Sequence, residues 1–437
     1  MQGVSTGVLV KPPPANISGK TVRVLLYLMF IMGSSLIMAG EFEAGFSKVA
    51  ITPVAHKDVV DTLQSGPKTV GDISDPIYAR ALILSDGLSR IAFISLDLMF
   101  IPSMVYAELL EGLREQSSFN QIFLSITHSH SGYVGNNNYG ALKGKIVSAI
   151  EAAGAKLQAV KIGASEGTLD EAYNRIVRHT DDSVEMLWTN PARKPNRSVD
   201  QSVGVINLQK INGETLVNIV NYSAHPVVTM DLNNVVVSAD YPGQLANSLK
   251  QQGEGETLFV LGAAGDVNPY DADTKPTALS LEKSNQLGER LAAEVIEIVR
   301  GINNYQAHGN FSFDNLRYVL PVIFEPSDID AVPAEINTLI LTDNIALASF
   351  SGEFFNEFGE RIKLQSPINH TFFLGYTNGS LGYMPTLEAV QFGGYGATAG
   401  ELWVDNKTGE SQINDAIESL QTQYQIRSGI LSSEPGP

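Results

Sequence analysis

The chain has 437 residues, 43% hydrophobic and 17% charged, the balance of a globular protein with a sizeable core and not of a disordered chain. Its formal net charge of −18 argues against a nucleic-acid partner, because phosphate contact needs a basic surface. With no cysteine there is neither a disulfide framework nor a thiolate metal site, so any metal must be held by nitrogen or oxygen donors.

The first feature along the chain is an export-signal pattern. Lys20 and Arg23 precede "VLLYLMFIMGSSLIMAG", residues 24–40, and small residues at its end predict cleavage after Ala39. At 17 residues the stretch is near the lower limit for a spanning helix, so an uncleaved anchor is the alternative. No later apolar run is long enough to span a membrane. The expected organisation is a disordered N-terminus plus signal peptide over residues 1–39, then one domain over 40–437 in an exported protein.

Past that segment strands and helices alternate, which predicts an α/β domain with mixed β-sheets and flanking helices. "RIAFISLDLMFI" from Arg90 reads as a buried strand, and "MVYAELLEGLREQ" from Met104 as the helix after it. "FLSITHSHSG", residues 123–132, reads as a strand with two histidines at its end. Strand alternation would aim His128 and His130 the same way. Residues 142–157 have amphipathic helical spacing, and "ALSLEKSNQLGERLAAEVIEIVRG" from Ala278 is a long amphipathic helix stopped at Gly301. "TLVNIVNYSAH", "TLFVLGAAGDV" and "NIALASFSGEF" are further strands, each running into a polar or Gly-rich loop. No internal repeat and no linker divides residues 40–437.

Chemistry-bearing residues collect at the strand ends. Taken alone, the His-x-His of residues 128–130 reads first as a polar turn with a capping histidine, so ligands from elsewhere must decide for a metal. His225 lies just past a strand, and Pro226 biases it toward extended backbone. Glu353 follows Ser351 and Gly352 at a strand-to-helix junction, where a helix-capping carboxylate is the alternative to a ligand. "GAAGDVNP" from Gly262 lacks the Lys-Ser/Thr ending of a phosphate-binding loop. Two histidines and a carboxylate from separate strand ends permit a three-ligand zinc with an open position, although spacing does not select it.

Six segments in order resemble the neutral/alkaline non-lysosomal ceramidases. "THSHSG" at Thr127 resembles their Thr-His-Thr-His-Ser-Gly motif, and "YNRIV" at Tyr173 their Asn-Arg-Ser segment. "SAHPVVTMDLNNVVVSADYPG" resembles a His-containing loop followed by Ser-Gly-Asp, and "GAAGDVNP" a Gly-Asp-Val-Ser-Pro loop. "SGEFFNEFGERIK" is similar to a Gly-Glu-Phe segment, and "GYMPTLEAVQFGGYGAT" to a stretch with two tyrosines twelve apart. The resemblance runs over roughly residues 45–405.

That resemblance implies one catalytic zinc held by His128, His225, Glu353 and Tyr383. It implies that His130 handles a proton beside the metal, and that Arg175 and Tyr395 hold the substrate carbonyl. Asp240, in "SAD", would orient a ligating histidine. The implied activity is hydrolysis of an N-acyl amide, ceramide or a ceramide-like lipid amide, with peripheral membrane contact. The alternatives are an esterase, lactonase or small-amide hydrolase on the same zinc, and an inactive binding protein. Two departures stand out. Asn268 occupies the place of the family's catalytic-loop serine; an amide cannot be a nucleophile, though it can donate to an oxyanion. The sequence ends at Pro437, which leaves an expectation of no C-terminal immunoglobulin-like domain.

Overall fold

The computed structural model describes residues 39–61, 66–194, 196–230, 235–272, 278–324, 329–398 and 402–431. The N-terminal tail and nearly all of the expected signal, residues 1–38, lie outside them. Two sheets dominate. The larger has eight strands in the spatial order Glu256–Leu261, Thr215–Tyr222, Ser202–Lys210, Gln158–Thr168, Glu43–Ala50, Tyr78–Ser85, Arg90–Leu96 and Gln121–Ile126. The smaller has four: Ser312–Pro321, Ala331–Thr342, Ile345–Ser349 and His370–Leu374. Each sheet mixes parallel and antiparallel pairs, so the α/β class with mixed sheets is what the chain adopts.

Period-2 burial explains how the layers stack. In Tyr78–Ser85, Ala79, Ala81 and Ile83 face one core, while Leu82 and Leu84 face another. The first core is closed by Leu109 and Leu110 of helix Ser103–Glu115, Leu142 and Ile146 of Tyr139–Gly154, Leu245 of Asp240–Gln251 and Leu291 of Ala278–Gly301. The second is shared between the sheets: Leu82, Phe123, Ile206 and Val260 meet Leu339, Leu347 and Phe372. The outer face of the small sheet, through Ile336, Ile340 and Phe373, packs on Phe358 and Ile362 of helix Asn356–Gln365 and on Ile413 and Leu420 of Thr408–Arg427. The result is four layers: helices, sheet, sheet, helices. A fully buried Leu or Phe contributes about 1.5–3 kcal/mol, so three such cores outweigh any single surface contact. Close approach of the sheets needs Gly204, where a Cβ would lie 2.4 Å from the Phe372 ring.

The larger sheet curls until its two ends communicate. Ser95 Oγ donates to the Phe259 carbonyl at 2.7 Å, both buried. The segment after His370–Leu374 stitches the gap. Gly375 N–H donates to Leu261 O on one edge, and Ile126 N–H donates to Tyr376 O from the other. Asn378 accepts from Leu124 N–H through Oδ1 and donates to Ile122 O through Nδ2. This turn runs through positive φ at Tyr376 and Asn378, strain that its buried bonds hold in place.

The two main sheets contain three parallel pairs, Arg90–Leu96 with Gln121–Ile126, Thr215–Tyr222 with Glu256–Leu261, and Ile345–Ser349 with His370–Leu374. The loops after all six strands meet in one place, as carboxyl-end loops of parallel strands commonly do.

Candidate metal centre

Each of those six loops contributes one group to a single buried cluster: Met99 O, His128, His225, Val267 O, Glu353 and Tyr376. His128 Nδ1 lies 2.6 Å from the Met99 carbonyl and His225 Nδ1 3.1 Å from the Val267 carbonyl. A carbonyl only accepts, so both rings carry their proton on Nδ1 and leave a bare lone pair on Nε2. Glu353 Oε2 sits 2.9 Å from His225 Nε2 and 3.5 Å from His128 Nε2. Its other oxygen accepts from Tyr376 Oη at 2.5 Å. His128 stacks on the Tyr376 ring, with centroids 4.5 Å apart.

The electrostatics favour a cation among these groups. Burial opposes ionisation of Glu353, while positive charge at the facing His128 and His225 positions holds its carboxyl well below the usual carboxylate range, the direction in which a cation placed there also acts. Burial, reinforced by the Arg175 cation, pushes His225 down to about 4. Three acceptors therefore face one another with no proton of their own to share, an arrangement that a metal ion satisfies. His130 Nε2 is 3.2 Å from His128 Nε2, and one nitrogen from each of His128, His130 and His225 lies within 4.8 Å of the others. The three imidazoles can thus hold a metal ion, with N and O donors fitting zinc chemistry.

A second group lies alongside. The fully buried Arg175 guanidinium donates from Nη1 to Asn268 Oδ1 at 3.2 Å and from Nη2 to Gly265 O at 2.7 Å and Tyr383 Oη at 3.0 Å. Its carbon lies 5.2–5.7 Å from the ring centroids of Tyr395, Tyr383 and Trp188. Asn268 Nδ2 donates to the Trp188 carbonyl at 3.1 Å. Trp188 and Tyr395, 39% and 38% exposed, form the solvent side of this group.

Sequence reading named His128, His130, His225 and Glu353, and the fold brings them together. It also named Arg175, Tyr383, Tyr395 and Asn268, which meet in the neighbouring group. Two local expectations need correction. The strand ends at Ile126, and His128 lies beyond it with φ +63°, so the two histidines converge through a left-handed turn and not through strand pleating. Asp240 does not orient a ligating histidine. Its carboxylate accepts from Thr229 N–H and Oγ1, while the imidazoles take backbone carbonyls instead. Tyr376, Trp188 and the two carbonyl acceptors were not anticipated; Tyr376 sits in "FFLGYTNG", which reads as core strand and turn.

By fold and site this is a four-layer α/β protein with a buried histidine–carboxylate centre at the ends of its parallel strands. Residues 64–269 match the family described as neutral/alkaline non-lysosomal ceramidase, N-terminal. The neutral ceramidase from Pseudomonas aeruginosa superposes with a TM-score of 0.71 at 17% identity, over 91% of this chain and 76% of that one. A ceramidase complexed with C2 gives a TM-score of 0.69 at 17% identity, over 91% and 77%. The family match over residues 64–269 and the shared fold together support a divergent relative of the neutral/alkaline non-lysosomal ceramidases.

Proposed function

We propose that this chain hydrolyses an N-acyl amide, ceramide or a ceramide-like lipid amide, at a zinc ion held by His128, His225 and Glu353 with Tyr383 as fourth ligand. The observation that carries the reading is the set of three facing acceptors, His128 Nε2, His225 Nε2 and Glu353 Oε2, which calls for a cation. When bound, the metal would supply Lewis acidity toward the amide carbonyl and an activated water. Arg175, held by Asn268 and Gly265, presents a buried positive charge for the carbonyl oxygen as it gains negative charge. The Tyr395 hydroxyl adds a donor from the solvent side. His130 is kept neutral by burial and by its histidine neighbours, and its Nδ1 has no partner among the described residues. That nitrogen takes a proton and returns it to the departing amine.

The family match supports a hydrolase of amide bonds; zinc and the lipid amide are the finer part of this proposal. Export belongs to it too, on the strength of the apolar stretch at residues 24–40; among the described residues no helix is long and apolar enough to cross a membrane. The test is metal content per purified chain, together with turnover of amide, ester and lactone substrates before and after chelation and zinc return. One zinc and chelation-sensitive amide cleavage are expected. A metal-free chain that cleaves amides equally well, or one that cleaves only esters, overturns the reading.

A further inference from the structure

We propose that a second site, for a phosphate dianion, lies at the opposite end of the larger sheet from the histidine–carboxylate centre. A cavity of about 340 Å³ opens there, lined by Lys48, Lys156, Lys210 and Lys250 with Glu256 as its one acid. The whole chain has 29 Lys and Arg against 47 Asp and Glu, so this lining reverses the chain's own balance.

The four lysines arrive from four separate segments: strand Glu43–Ala50, the turn after helix Tyr139–Gly154, the end of strand Ser202–Lys210 and the last turn of helix Asp240–Gln251. Their pairing leaves positive charge over. Glu256 is shared by Lys250 at 2.6 Å and Lys48 at 3.6 Å. Lys210 pairs with Glu214 at 2.9 Å, and Lys156 reaches the Phe46 carbonyl at 3.4 Å. Four cations against two carboxylates leave two positive charges, which a phosphate carrying roughly −1.5 to −2 at neutral pH balances. Complementing a helix C-terminus accounts for Lys250. It does not account for Lys48 or Lys210, which stand on strands.

The chemistry favours a phosphate ester over a bare ion. The cavity is about ten times a water's share of liquid volume, ~30 Å³, and Phe46 and Leu216 give it an apolar wall. It is separate from the metal centre: Thr215–Tyr222 and Glu256–Leu261 start at the cavity and end at the cluster, about 20 Å away at ~3.3 Å per residue.

The experiment titrates the intact chain at low ionic strength with inorganic phosphate and with glycerol phosphate, by calorimetry and phosphorus NMR. A parallel arm offers phosphatidic acid vesicles, whose headgroup is a phosphate monoester, against phosphatidylcholine vesicles. Saturable phosphate binding is expected, weakened roughly ten-fold or more by Lys48→Gln with Lys210→Gln. Glu256→Gln should tighten it, a change of sign that lost packing does not produce. Vesicle capture abolished by the lysine variant assigns the phosphate to a lipid headgroup; soluble binding without capture assigns it to a small ester. Lys156→Gln, at an exposed position, serves if the double variant is unfolded. No saturable binding by any probe at millimolar concentration, or equal affinity across the variants, overturns the proposal.

Discussion

His225 Nε2 and Glu353 Oε2 lie 2.9 Å apart, and neither atom carries a proton when His225 keeps its own on Nδ1, hydrogen-bonded to the Val267 carbonyl. Two acceptors at that distance repel unless a positive charge sits with them. Glu353→Gln keeps the shape and removes the negative charge. It should bind metal far more weakly and lose turnover, while far-UV circular dichroism stays native. Full metal retention in dialysed Glu353→Gln would show that the carboxylate is not a ligand.

Tyr376 is the partner that fixes Glu353. Its hydroxyl donates to Glu353 Oε1 at 2.5 Å and its ring stacks on His128. Tyr376→Phe removes the hydrogen bond and keeps the stack. Removing such a supporting bond typically weakens metal affinity about 10–100-fold. Competition against a chelator reads this directly, and an unchanged affinity would assign Tyr376 to packing alone.

These two residues also show where sequence reading stops. Strand-end histidines and a carboxylate after Ser351-Gly352 are visible because side-chain chemistry and strand signals coincide there. The α/β class was legible for the same reason: apolar runs such as "RIAFISL" carry their own period. Met99 and Val267 act through carbonyl oxygens, which every residue has, so no residue type marks them. Tyr376 was hidden because a tyrosine after "FFLG" is what a buried strand end looks like. His128 was misjudged in conformation, because nothing in "SITHSH" signals a φ of +63° at a non-glycine residue. The convergence of six strand ends depends on the curl of the large sheet, a tertiary property outside any local window.

His130 and Arg175 separate proton handling from substrate capture. His130→Ala should lower turnover and leave most of the metal in place, because His128, His225 and Glu353 remain. Loss of the metal instead would make His130 a ligand, which its 3.2 Å approach to His128 makes a real alternative outcome. Arg175→Ala removes the buried cation beside the cluster. It should raise KM, lower kcat, or both, with metal content unchanged by elemental analysis.

Two buried groups give the metal-free protein opposing pH dependences. His225 is held near 4, below its unfolded value, so the unfolded chain binds its proton more readily. Its contribution to stability is complete above about pH 6.5 and is lost as pH falls through about 4. Glu353, also depressed, adds to the same acid-side loss. Asp75 is the reverse. Burial raises it to about 6 despite the donors Ser238 Oγ and Ala239 N–H, so its contribution is complete below about 4 and is lost as pH rises through about 6. In urea melts of the chelated protein from pH 4 to 7, His225→Gln should flatten the rise in stability. Asp75→Asn should steepen it. The opposite pairing of slopes would mean that the causes assigned here are wrong.

Asn268 is the departure from the family's loop, and its contacts give it a definite task. Its Oδ1 accepts from Arg175 Nη1 and its Nδ2 donates to the Trp188 carbonyl, so one side chain fixes both the buried cation and the aromatic at the mouth. Its second N–H faces the Tyr173 hydroxyl, which a substrate oxygen would have to replace as acceptor. If that N–H stabilises the oxyanion directly, Asn268→Ala should cost about 10²–10³ in kcat, as loss of one such donor does. If Asn268 acts by holding Arg175, the loss should vanish once Arg175 is already gone, and a double-mutant cycle distinguishes the two. We expect strong coupling: Asn268→Ala slows the enzyme, and Asn268→Ala with Arg175→Ala is little worse than Arg175→Ala alone. Asn268→Ser fits sterically but is too short to keep both partners, so it should behave like Asn268→Ala toward the native substrate. A gain of ceramide hydrolysis in Asn268→Ser would instead make position 268 a switch of substrate or mechanism. Native ceramide hydrolysis that Asn268→Ser does not improve would show that this departure leaves the substrate unchanged.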